Sequence, residues 1–276
     1  MPRPCRARCD RAGSNNLISI LQLGSLDYAT AERLQQKLVS LRKENQIGDV
    51  LLLLEHPPVI TLGRNAKSAN ILASPELLAQ RGVEVVECNR GGDVTFHGPG
   101  QLVGYPIFDL RAFRTPDGDR KTLGVIDFVR KMEEALIRTC ADFRIPTERV
   151  PKLTGVWTQA ETGNEPAKIA AIGIHVSRAV TSHGFALNVN VDLSYFNLII
   201  PCGIATKPVT SMQQELGAPQ NLDRVAESVT RNFGQVFDRQ ILWLESLDAL
   251  LPNPIGVPMK PPADLRRLRG EDDTWA

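Results

Sequence analysis

Apolar positions recur along this chain with two alternating periods, and the elements follow from them. Leu34, Leu38 and Leu41, spaced by four and three, predict a helix over 28–44, preceded by a short strand over 17–23. Residues 50–54 are an unbroken apolar run, as expected of a strand buried on both faces. Glu55-His56-Pro57-Pro58 interrupts that run, 59–62 resumes extended, and Gly63-Arg64-Asn65 turns. Ser74, Pro75 and Gly82 supply the N-cap, first position and stop of a short helix, and a strand over 83–88 follows.

The second half predicts a strand over 102–110, then a polar connection over 111–121 carrying Thr-Pro-Asp-Gly. Val125, Val129, Met132, Leu136 and Cys140 define a helix of about five turns with Cys140 on its buried face. Residues 155–159 and 168–176 read as a hairpin with a long polar connection. Phe185, Leu187, Val189 and Val191 alternate with Ala186, Asn188, Asn190 and Asp192, the pattern of a strand with one face on a core. A short apolar strand over 198–200 leads into Pro201-Cys202-Gly203, and His183 falls in a turn before Gly184. Leu222, Val225, Ala226, Val229, Phe233 and Phe237 give a second long amphipathic helix. With no repeat and no internal linker, the expectation is one α+β domain over 17–250. Residues 1–16 form an N-terminal tail, and 251–276 a tail with prolines at 252, 254, 258, 261 and 262.

Composition narrows the functional classes. Thirty-two basic residues against 31 acidic give a net charge of +1, so no global field favours nucleic acid or anionic lipid. The longest apolar run, 50–54, falls far short of the ~18 residues of a membrane span. Cysteines at 5, 9, 88, 140 and 202 show no Cys-x-x-Cys spacing, which implies a reducing compartment without a disulfide framework. Arg3, Arg6, Arg8 and Arg11 precede no apolar core of the kind a secretory signal needs; a tail or an organelle transit peptide accounts for them.

Chemistry concentrates in 90–101, Arg-Gly-Gly-Asp-Val-Thr-Phe-His-Gly-Pro-Gly-Gln, read as a loop between two strands. Gly91, Gly92, Gly98 and Gly100 permit positive φ and close backbone approach, Pro99 stiffens the turn, and Arg90, Asp93, Thr95, His97 and Gln101 supply hydrogen-bonding groups. The loop is neither Gly-x-Gly-x-x-Gly nor a P-loop, and a single Arg-Gly-Gly without interleaved aromatics is no RNA-binding signal. Cys202 between Pro201 and Gly203 is either a buried structural cysteine or a nucleophile; the second role needs a cation or base to favour the thiolate. Lys168, opening an apolar strand, either reaches out to water or acts as a desolvated proton acceptor. His97, His175 and His183 are alternative bases, with His175 expected to face solvent and His97 better suited to substrate contact. No two of these residues have zinc-ligand spacing.

Three stretches, 90–101, Lys168-Ile-Ala-Ala-Ile-Gly173 with Gly184-Phe-Ala-Leu-Asn188, and Pro201-Cys202-Gly203, together resemble the octanoyltransferases of lipoate biosynthesis in order and spacing. The resemblance runs from about Leu17 to Trp243 and omits both tails and the insertion over 161–166. It implies a fold similar to the catalytic domains of biotin protein ligases and lipoate protein ligases, a mixed sheet flanked by helices.

The resemblance further implies transfer of octanoate from the phosphopantetheine of an acyl carrier protein to a lysine of lipoyl domains, in 2-oxoacid dehydrogenase complexes and the glycine cleavage H protein. No ATP, metal, nucleic acid or membrane takes part, and the place is the cytoplasm. Cys202 corresponds to the nucleophile and Lys168 to its proton-transfer partner. Arg90, Gly91, Gly92, Asp93, Val94, Thr95, Phe96, His97, Ala171, Ile172, Gly173, Gly184, Phe185 and Ala186 correspond to substrate contacts. The Gly203 N–H is a candidate oxyanion donor. Arg64, Lys67, Arg90 and Lys207 are candidates for a basic rim facing the acidic carrier. The rivals are an ATP-dependent lipoate ligase on the same fold, a cysteine hydrolase using Cys202 and His97, and an inactive binding module.

Overall fold

The computed structural model describes residues 16–113, 122–159, 165–201 and 207–250. Both tails, most of the 111–121 and 160–167 connections, Cys202 and Gly203 lie outside the described residues.

The chain opens with strand β1 (Leu17–Ser25), helix α1 (Tyr28–Lys43) and strand β2 (Asp49–Glu55), with β2 lying parallel to β1. Asp27 caps α1 by accepting from the Thr30 N–H at 2.8 Å. The apolar run of β2 is explained by two covers. Val50, Leu52 and Leu54 pack with Leu34, Leu38 and Leu41 of α1, whereas Leu51 and Leu53 face the other way into the main core.

After β2 come β3 (Val59–Leu62), α2 (Pro75–Gln80) and β4 (Glu84–Glu87), then β5 (Val94–His97) and β6 (Gln101–Ile107). The Ser74 hydroxyl accepts from the Leu77 N–H at 3.3 Å, and Gly82 takes φ +63° just past α2, as the start and stop residues predict. The second half supplies α3 (Val125–Asp142), β7 (Thr147–Val150), β8 (Leu153–Thr158), β9 (Lys168–Ser177), β10 (Val180–Asn188), α4 (Met212–Leu216), α5 (Leu222–Phe237) and β11 (Gln240–Trp243).

Among the described residues, eight strands form a mixed sheet in the order β11-β1-β2-β6-β10-β9-β8-β7, and β4-β3-β5 form a small second sheet. α3 and α5 cover one face of the large sheet. Val225, Ala226, Val229 and Phe233 of α5 are wholly buried there against Phe128, Met132 and Leu136 of α3. Each large side chain of this kind contributes about 1.5–3 kcal/mol of burial. α1 covers part of the opposite face. The mixed sheet between helices is the α+β architecture expected from the sequence.

Four local expectations need correction. Val94–His97 is a strand, antiparallel to β3, inside the stretch read as a loop. β10 begins at Val180 and buries both faces, because α1 covers the side that carries Ala186, while Val189 and Val191 lie beyond its end. His183 therefore sits within a strand rather than a turn. Residues 193–198 are a 3₁₀ helix and only Ile199 makes a strand-like bridge, to Ile71, so no strand over 198–200 forms.

Candidate active site

β9 and β10 pair so that Ala171 faces Ala186 and Gly173 faces Gly184, which leaves a strip of the sheet almost bare of side chains. The stretch 90–93 crosses above it. The Gly91 N–H donates to the Ile174 carbonyl at 2.9 Å, while the Asn65 N–H donates to the Gly92 carbonyl at 3.0 Å, so the segment is tied to β9 and to the turn after β3. A Cβ on Gly173 would lie 2.7 Å from the Gly91 carbonyl oxygen, so only glycine permits this approach. Gly92, at φ +90°, turns the segment. Gly91 has no positive φ, so its glycine serves the close contact with Ile174 instead.

Arg90 does not stand on a surface rim. It is buried, and its guanidinium donates to the Thr61 hydroxyl at 2.9 and 3.1 Å and to the Thr61 carbonyl at 2.7 Å. Asp93 accepts from the Asn70 amide at 2.6 Å and from the Lys67 and Val94 N–H groups. Both side chains thus stiffen the segment over the cleft. Arg64 and Lys67 are exposed, and Lys207 pairs with Glu165 at 3.1 Å.

The resulting narrow cleft has a cavity volume of about 50 Å³ and is walled by Arg90–Asp93, Thr95, His97, Ala171–Gly173 and Gly184–Ala186, together with Tyr28, Tyr105 and His183. Twelve of the fourteen candidate contact residues are brought together here. Strand alternation separates the other two: Thr95 and His97 face the cleft, whereas Val94 and Phe96 enter a core with Ile60, Leu78 and Phe196.

Behind the cleft lies a polar cluster that sequence reasoning only partly found. His56 is fully buried; its Nδ1 donates to the Leu26 carbonyl at 2.6 Å, so its Nε2 accepts from the Tyr105 hydroxyl at 2.7 Å. Tyr28 stacks on His97 with ring centroids 6.3 Å apart. Burial pushes His97 down to about 3, with His56 adding to the effect, and pushes His56 and His183 down to about 4. Burial also raises Tyr28 and Tyr105, so the cluster is neutral around pH 7. The missed residues are Tyr28, His56 and Tyr105. The available signal for His56 was its position at the end of a strand with no exposed face.

The cleft is wired to Lys168. His97 Nδ1 donates to Gln101 Oε1 at 2.7 Å, Gln101 Nε2 to Asn188 Oδ1 at 2.8 Å, and Asn188 Nδ2 to the Thr210 carbonyl at 2.9 Å. The Thr210 N–H then donates to the Lys168 carbonyl at 3.0 Å. Lys168 itself is buried rather than reaching out to water, with Nζ 4.7 Å from the Trp157 ring centroid. Its strand bridges to Val209 on the far side of 202–206, while the Ile200 N–H donates to the Asn70 carbonyl on the near side. Cys140 is fully buried, and burial pushes its thiol up to about 12, which fits the structural role expected of it. His175 is half-buried, not fully in solvent.

The mixed sheet and its covering helices have the fold of lipoate protein ligases. The structure superposes on lipoate-protein ligase A bound with ATP with a TM-score of 0.59, at 13% identity over 84% of this chain and 88% of the other. By sequence, residues 27–234 match the model of the lipoyl protein ligase A/B catalytic domain, and the chain belongs to that family. It is 63% identical to the octanoyltransferase of Koribacter versatilis over 93% of this chain and 98% of that protein. It is 56% identical to the octanoyltransferase of Acidobacterium capsulatum over 86% of this chain and 96% of that protein.

Proposed function

We propose that this chain is an octanoyltransferase that moves the acyl group from the phosphopantetheine thioester of an acyl carrier protein to a lysine amine of lipoyl domains, through a thioester on Cys202. The observation that carries the reading is the high identity to octanoyltransferases over nearly the whole chain. The cleft supports it. Ala171, Gly173, Gly184 and Ala186 offer a floor without bulk or charge, suited to an unbranched acyl chain.

The Cys202 thiolate attacks the thioester carbonyl, the bond to the pantetheine sulfur breaks, and the departing sulfur takes a proton from the Lys168 ammonium. The acceptor amine then attacks the acyl-enzyme, its surplus proton passes to Lys168, and the Cys202 thiolate leaves. Both residues end as they began. Thioester to amide runs downhill, so the cycle needs no ATP. The pairing of Lys168 with Val209, seven residues beyond Cys202, favours their collaboration.

The test is the mass of the protein after incubation with octanoyl-acyl carrier protein. One octanoyl group on the Cys202 peptide is expected, and Cys202→Ala should bind both partners yet transfer nothing. A label on Cys88 or Cys140 would overturn the assignment, as would product formed from free octanoate and ATP without the carrier.

A further inference from the structure

His183 is the one non-glycine residue of β10 in the left-handed region, at φ +54°. A ring-bearing side chain there is strained, and strain of this kind persists where surrounding contacts enforce it. Here the contacts are plain. The His183 N–H donates to Gln35 Oε1 at 2.7 Å, Nε2 pairs with Asn89 Oδ1 at 2.6 Å, and the ring meets Tyr105 edge-on with centroids 6.4 Å apart.

The ring stands between two cavities. On one side is the acyl cleft, which it lines with Gly184 and Gly173. On the other is a chamber of about 270 Å³ walled by Gln35, Ser40, Lys43, His175, Ser177 and Ser182. The register fixes the sequence of stations along β9 and β10: Ala171 with Ala186, Gly173 with Gly184, then His175 with Ser182. Lys168 opens β9, so the route from the reacting end passes the bare strip at Ala171 and Gly173 first and reaches the chamber, at His175, last. The chamber is polar: Ser40, Lys43, His175, Ser177 and Ser182 line it. Such a lining suits water, not methylenes.

We propose that His183 is the end wall of the acyl cleft and a specificity-determining residue that limits the length of the transferred chain. The inference rests on the octanoyltransferase reading. A chain that fits within the bare strip stops at the imidazole ring; a longer one must displace the ring and enter a chamber built for water.

His183→Gly removes the ring and is at ease in the left-handed backbone, and His183→Asn keeps a shorter polar group that also tolerates it. The experiment measures kcat/KM for octanoyl-, decanoyl- and dodecanoyl-acyl carrier protein with the wild type and both variants. The ratio of dodecanoyl to octanoyl transfer should rise roughly tenfold or more in His183→Gly, with a smaller rise in His183→Asn. A merely structural role would lower all three substrates together. An unmoved ratio in both variants overturns the end wall. Octanoyl transfer by the wild type separates the two claims. Its presence with an unmoved ratio overturns the wall alone, and its absence overturns both.

Discussion

The Nζ of Lys168 lies 4.7 Å from the centroid of the Trp157 ring, with both residues almost wholly shielded from water. The ring face offers the amine an electrostatic partner in a place where hydration is weak. Contacts of this type are worth about 0.5–2 kcal/mol, so Trp157→Leu should slow acyl-enzyme formation by roughly 2- to 30-fold. Single-turnover loading monitored by mass, with Trp157→Phe as the conservative control, checks it. Lys168→Arg, which cannot accept a proton, should lose about 100-fold or more.

Acid should weaken the fold through the histidine cluster. His97, His56 and His183 are depressed from 6.5 to about 3, 4 and 4, so the unfolded chain binds more protons than the folded one between about pH 6.5 and those values. Stability is therefore fully present above pH 6.5 and declines as the pH falls toward 4. Urea unfolding at pH 7, 6, 5 and 4 should show this decline. In His97→Gln the slope should be shallower by one proton over that window. An unchanged slope would show that His97 is not held neutral.

Arg42 donates to Asp49 at 2.8 Å, both side chains being buried, and Asp49 also accepts from the Asp109 N–H at 2.9 Å. Burial outweighs Arg42 and raises the Asp49 carboxyl. Arg42→Met leaves that carboxylate buried and unpaired, and should cost about 3–5 kcal/mol in chemical denaturation. Converting both partners to apolar residues should recover part of the loss, because the desolvation penalty goes with them.

Gly173→Ala tests the covering segment. Its Cβ would meet the Gly91 carbonyl at 2.7 Å, so the Arg90–Asp93 segment has to lift from the strip. Transfer should fall by about 10- to 100-fold through a higher KM for the acyl carrier, since positioning rather than chemistry is disturbed. Equal KM with a lower kcat would refute this account.

Much of the scaffold was legible because local signals and tertiary demands agree. Ser74, Pro75 and Gly82 mark α2 by themselves, and the face of α5 from Val225 to Phe237 is the face that is buried. The errors arose where tertiary contact decides. Val94–His97 becomes a strand only because β3 lies alongside, and Arg90 looks like a surface cation until Thr61 is found around its guanidinium. The cleft residues were readable through the family motifs, but those motifs could not separate Thr95 and His97 from Val94 and Phe96, which strand alternation turns away. Tyr28, His56 and Tyr105 come from three separate elements, and no local pattern joins them.

The parallel pairing of β11 with β1, in which Leu17 lies opposite Gln240, joins segments more than two hundred positions apart. During synthesis one side of β1 has no partner until β11 has left the ribosome, and its open edge is exposed to other nascent chains for that whole interval. Sheet closure by such a distant strand belongs among the slow, topology-limited steps of folding. The open edge of β1 is thus where aggregation is expected to compete with folding until β11 arrives.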